Sequence, residues 1–90
     1  MLEEEVKIIN PLGLHARAAA QLVRLAGNFQ SKIKLTRIDS EVTADAKSIL
    51  SVLTLAAAKG TTLKLTVEGS DEKEAMKIIK EMIDKGFGET

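Results

Sequence analysis

The spacing of apolar residues along this chain switches repeatedly between two periods, and that switching limits its possible folds most. "TTLKLTVEG" alternates, with Leu63, Leu65 and Val67 on one side and polar residues on the other, as a half-buried strand requires. Soon afterwards Ala75, Ile78, Ile79, Met82 and Ile83 fall at i, i+3, i+4, i+7 and i+8, the stripe of an amphipathic helix, with Ser70 or Asp71 as its cap and Gly86 as its stop. The same reading along the chain predicts a strand over Glu5–Ile9 with Val6 and Ile8 on one face, then a turn through Asn10-Pro11-Leu12-Gly13-Leu14. A helix follows from Ala16, with Ala19, Leu22, Val23 and Ala26 in its stripe, and Gly27 offers a left-handed cap. "SKIKLTRI" reads as a second strand, burying Ile33 and Leu35, and a turn at Asp39-Ser40-Glu41 leads to a short third one over Glu41–Ala44. "AKSILSVLTLAAAKG" is helix-compatible up to Gly60, with Ser48 as its N-cap. Strand, helix, strand, strand, helix, strand, helix is most economically satisfied by two layers, with helices on one side of a sheet.

Composition then narrows the function. Ninety residues, 44% of them hydrophobic and 29% charged, can bury a modest core, so one globular α+β domain spanning residues 1–90 is expected. There is no cysteine and only one histidine, so no disulfide and no Cys/His metal site is expected, and no cofactor is called for. Thirteen basic residues balance thirteen acidic ones, and Phe29 and Phe87 are the only aromatics, a poor basis for binding nucleic acid. No segment reaches the roughly twenty apolar residues that span a bilayer, and "MLEEEVKIIN" is unlike a signal peptide. No membrane insertion is expected, and the cytoplasm is the default location.

The single histidine, His15, stands immediately before the first helix. Backbone N–H groups there lack intrahelical partners and the helix dipole adds partial positive charge, which disfavours a protonated imidazole and favours an anion. A phosphoryl group carried on the ring would meet a ready set of donors, and Arg17 could add a charge-assisted bond. The competing reading is an ordinary capping or surface histidine beside a solvated arginine.

The surrounding string decides between them. "GLHARAAAQLV" resembles the active-site segment of the histidine-containing phosphocarrier family, HPr, of the bacterial phosphoenolpyruvate-dependent sugar phosphotransferase system. "AKSILSVLTLAAAKG" is similar to that family's second signature, and "VEGSDEKEAM" and "KGFGE" extend the likeness over essentially the whole chain. The resemblance implies an open-faced β-sandwich, a four-stranded antiparallel sheet with three helices on one face in the order βαββαβα. It implies that His15 accepts a phosphoryl group from Enzyme I and passes it to EIIA domains of sugar transporters, with Arg17 stabilising it. It also assigns Ser48 as the site of an HPr kinase/phosphorylase, with a transcriptional regulator as a further partner. On this reading the chain is a carrier, not an enzyme, and a monomer.

Ile49, Leu50 and Leu53 lie in a helix apolar on more than one face, while Val52 and Leu55 suit the core. The resemblance implies that this exposed apolar side lies next to the histidine and docks partners, edged by Arg17, Gln21, Arg24 and Lys47; the competing reading is that Leu50 or Leu53 only covers an edge of the core. Two positions depart from the family pattern: Ala18 stands where proline is usual, and Ser51 where glycine often follows the regulatory serine. Ala18 keeps open an alternative, an HPr-like paralogue serving a specialised phosphorelay or transcriptional regulation. A small acyl-phosphate hydrolase would need a phosphate cradle and a positioned water that the sequence does not announce.

Overall fold

The computed structural model describes residues 1–89. Its elements are β1 (Leu2–Lys7), α1 (Ala16–Ala26), β2 (Lys32–Arg37), β3 (Thr43–Asp45), α2 (Ile49–Leu53), β4 (Thr62–Glu68) and α3 (Glu72–Asp84), followed by a 3-10 turn over Gly86–Gly88. The strands form one antiparallel sheet in the order β1-β4-β2-β3. The expected architecture, an open sheet with three helices in the order βαββαβα, is the one observed.

Alternation sorts the two faces. Ile33, Leu35, Leu63, Leu65 and Val67 are buried, whereas Lys32, Lys34 and Lys64 stand exposed on the opposite side. The register aligns Leu35 with both Leu65 and Ala44, and Leu63 with Val6, so apolar side chains sit beside one another across the sheet. Leu22 and Ala26 of α1, Val52 of α2, and Ala75, Ile79 and Ile83 of α3 complete this core. Val23, Ile78 and Met82 are only half-buried, at the margin of their stripes.

Several local expectations are corrected. The first strand starts earlier, at Leu2, and ends at Lys7; Ile8 is buried beyond the strand's end. Gly27 is right-handed (φ −64°), not left-handed. The end of α1 instead tightens, with Asn28 N–H bonding Leu25 O and Phe29 N–H bonding Ala26 O. The second long helix is a single short one. Beyond Thr54 the carbonyls of Leu55 and Ala56 accept from the Arg37 guanidinium, and that of Ala57 accepts from Leu14 N–H. Tertiary partners thus take the carbonyls that a continuing helix would need.

Asp71 precedes α3 as expected but makes no side-chain cap bond. Its carboxylate accepts from Gln30 N–H (2.8 Å), Ser31 N–H (3.0 Å) and Ser31 Oγ–H (2.5 Å), tying the α1–β2 loop to the start of α3. The Gly86 stop does adopt the left-handed region (φ +63°).

Candidate functional site around His15

The turn after β1 closes with Gly13 N–H on Asn10 O and with the Asn10 side-chain amide on Gly13 O (2.7 Å). Gly13 is needed there: its φ is +67°, and a Cβ would lie 2.6 Å from the Ala57 carbonyl oxygen. This turn delivers His15 to the N-cap of α1 in extended conformation (φ −75°, ψ 178°). The imidazole itself caps the helix, with Nδ1 accepting from Arg17 N–H at 3.3 Å.

The other ring nitrogen meets the opposite end of the chain. Nε2 lies 2.8 Å from Oε2 of Glu89, and the two side chains retain 26% and 20% of their exposure. Glu89 is itself held: Oε1 accepts from Leu12 N–H at 2.8 Å, and Asn10 Nδ2 donates to Oε2 at 3.4 Å. The Leu12 amide holds the Glu89 carboxyl below the usual carboxylate range; His15 and Asn10 act in the same direction, and partial burial opposes them. Behind Glu89 the 3-10 turn is anchored by buried Phe87, at φ +57°.

A backbone N–H is an obligatory donor, so Nδ1 presents a lone pair to Arg17 N–H. A carboxylate only accepts, so Nε2 carries the hydrogen facing Glu89. For the neutral ring these partners select the Nε2–H tautomer and turn the Nδ1 lone pair toward the positive end of α1. His15, Arg17, Ala18, Gln21, Phe87, Gly88 and Glu89 line a small concavity of about 100 Å³ at this point. The Arg17 guanidinium makes no hydrogen bond or ion pair with a described residue. No group of three or more His, Cys, Asp or Glu side chains suited to a metal occurs among the described residues.

A sequence model of the PTS-HPr family, described as "PTS HPr component phosphorylation site", matches residues 2–85. The chain belongs to the HPr family. It is 51% identical over 89 residues to the phosphocarrier protein HPr of Cupriavidus necator, covering 99% of this chain and 98% of that protein. Against HPr of Neisseria meningitidis serogroup A the identity is 45%, with the same coverage. Among solved structures, HPr-C-His from Thermoanaerobacter tengcongensis superposes with a TM-score of 0.92 at 39% identity, over 100% of this chain and 99% of that one. An HPr dimer from the same organism gives 0.77 at 39% identity, over 99% and 100%. HPr proteins are phosphocarriers of the phosphotransferase system, so this chain is a carrier protein rather than a catalyst.

The structure gathers some of the sequence-predicted residues and separates others. His15, Arg17 and Gln21 share the concavity, and so does Ala18, almost fully buried. Arg24 lies further along α1, in a shallow groove with Leu25, Asn28 and Met82 that Gln21 also lines. Lys47 is drawn away from His15: its Nζ donates to Phe29 O, beyond the far end of α1. Ser48 caps α2 by accepting from Ser51 N–H at 3.3 Å. Leu50 is 75% exposed, Ile49 39% and Leu53 36%, while Val52 and Leu55 are buried as expected.

Sequence reasoning missed Asn10 and Glu89. The only signal for Glu89 was the "GFGE" ending, whose glycines allow left-handed turns around an apolar anchor. Nothing in a linear reading says that such a turn ends against residue 15.

Proposed function

We propose that His15 accepts a phosphoryl group on Nδ1 from phosphorylated Enzyme I and passes it to the EIIA domains of sugar transporters. The observation that carries this reading is the lone pair of Nδ1 facing the Arg17 backbone amide at the start of α1. To take a phosphoryl group, Nδ1 gives up its bond from Arg17 N–H, and the anion so formed then meets N–H donors and the helix dipole at the start of α1. Arg17, exposed and unpaired among the described residues, supplies a mobile cation for the phosphoryl oxygens. Residues 1–90 act together as one such domain, in the cytoplasm. Among the described residues no helix is long and apolar enough to cross a membrane.

Leu50, Ile49 and Leu53 form the apolar part of the docking surface, with Gln21 and Arg24 on the neighbouring helix and Lys47 at its border. Ser48 is the regulatory position for an HPr kinase/phosphorylase: a phosphate there adds negative charge to that surface and bears on both relay partners and a transcriptional regulator. Ala18 supports the second reading, a paralogue in a specialised relay, because it replaces the residue usual at the family's active-site helix. The working state is a monomer, which sedimentation at micromolar concentration checks against the dimer known for a T. tengcongensis relative.

The deciding experiment is incubation with phosphoenolpyruvate and Enzyme I, followed by intact mass and acid treatment. One acid-labile phosphoryl group, absent from His15→Ala, is the expected result. No transfer from an Enzyme I competent toward another HPr would favour the specialised paralogue.

A further inference from the structure

We propose that Glu89 is the positioning residue of this site: its carboxylate holds the Nε2–H of His15, so that the lone pair stays on Nδ1 through uptake and release of the phosphoryl group. The proposal rests on the reading of His15 as phosphoryl acceptor and adds to it a residue from the far end of the chain. Two oxygens with separate tasks make the case. Oε1 is occupied by Leu12 N–H at 2.8 Å, which fixes the carboxylate in place, and Oε2 is left for His15 Nε2 at 2.8 Å. Asn10 Nδ2 adds a second, longer bond to Oε2 while closing its own turn on Gly13 O, so the loop before α1 and the carboxylate share one set of hydrogen bonds. Buried Phe87 secures the segment that brings Glu89 there. A carboxylate behind a histidine ring fixes tautomer and orientation in the same manner as in other His sites.

The chemistry balances without any proton transfer by the ring. The Nδ1 lone pair leaves Arg17 N–H and forms the N–P bond while the bond from phosphorus to the donor breaks, its electron pair leaving with the donor. The hydrogen on Nε2 stays where it is. The ring then carries a positive charge between the phosphoryl anion and the Glu89 carboxylate, which are the negative groups facing it, with Arg17 the other charged side chain lining the concavity. On release the acceptor's nucleophile bonds phosphorus and the N–P pair returns to Nδ1, regenerating the same tautomer.

A carboxamide separates this role from a merely structural one. In Glu89→Gln one oxygen can keep the Leu12 N–H bond, but the amide then turns its NH₂ toward Nε2 and favours the opposite tautomer. The test is ¹⁵N NMR of the imidazole, together with the rate and position of phosphorylation by phosphoramidate, a small donor that needs no docking surface. Glu89→Ala serves as a second variant, and thermal unfolding verifies that all three proteins are folded. Expected are a dominant Nε2–H form in the wild type, a shift toward Nδ1–H in Glu89→Gln and a mixture in Glu89→Ala. Phosphorylation should slow about tenfold in both variants, the low end of losing an orienting carboxylate behind a histidine, with part of the phosphate now on Nε2. A wild type that takes no phosphoryl group on His15 would overturn the carrier reading. Normal phosphorylation of the wild type, with tautomer and rate unchanged in both variants, would overturn the role of Glu89 alone.

Discussion

At Gly13 the backbone turns through φ +67°, with the Ala57 carbonyl oxygen and Ala58 Cα within 3 Å of where a Cβ would stand. Both neighbours are backbone, so neither can swing aside as a side chain would. Gly13→Ala should therefore destabilise the fold by roughly 2–4 kcal/mol, from left-handed strain plus overpacking. A lower urea midpoint at unchanged slope is the measurement that checks it. The site should suffer too, since Leu14 N–H bonds Ala57 O at 2.8 Å immediately before His15. At this same scale His15→Ala and Glu89→Gln separate two roles, one group that bears the phosphoryl and one that orients it.

Among the elements, α3 is held at its start by a carboxylate that bonds another part of the chain. Asp71 is kept below the ordinary aspartate range chiefly by the Ser31 hydroxyl, with the Gln30 amide next and burial opposing. A folded-state pKa below the unfolded one means stabilisation present above the unfolded value and lost as pH falls through the folded value. Glu72, lowered mainly by the Gly69 amide, and Glu89 act with the same sign. The chain should accordingly lose stability progressively below about pH 4, where free carboxyls begin to protonate. Asp71→Asn should be less stable at neutral pH and show a shallower acid limb, read from thermal midpoints between neutral pH and about pH 2. An acid limb as steep as the wild type's would show that other carboxylates carry it.

For the whole molecule, one sheet carries the helices and the core lies between them. Leu65 is fully buried in β4, the strand hydrogen-bonded to both β1 and β2. Leu65→Ala should cost about 3 kcal/mol, within the usual range for a leucine truncated in a core. For a domain of this size that lowers the thermal midpoint by more than about 10 °C, measurable by circular dichroism. Below that midpoint phosphorylation of His15 should persist, because the substitution lies in the sheet and away from the residues lining the site concavity. The molecular scale also explains why the site unites residues 15 and 89: β1 and β4 pair, α3 packs back on both, and the segment after α3 meets the turn after β1 through Asn10, Leu12 and His15.

Periodicity made the elements legible because it records which side of each segment meets the core. The alternation at Leu63, Leu65 and Val67 and the stripe at Ala75, Ile79 and Ile83 needed no partner to be read. His15 at a helix start was equally plain, since capping is a local matter of one side chain and the next two amides. The motif resemblance added the antiparallel arrangement, which periodicity alone leaves open. The early end of α2, the use of Asp71 on the Ser31 loop, the diversion of Lys47 to Phe29 O and the meeting of Glu89 with His15 were decided only by tertiary structure. In each case a polar group chose a distant partner over a local one, and pattern along the chain carries no record of distances across it.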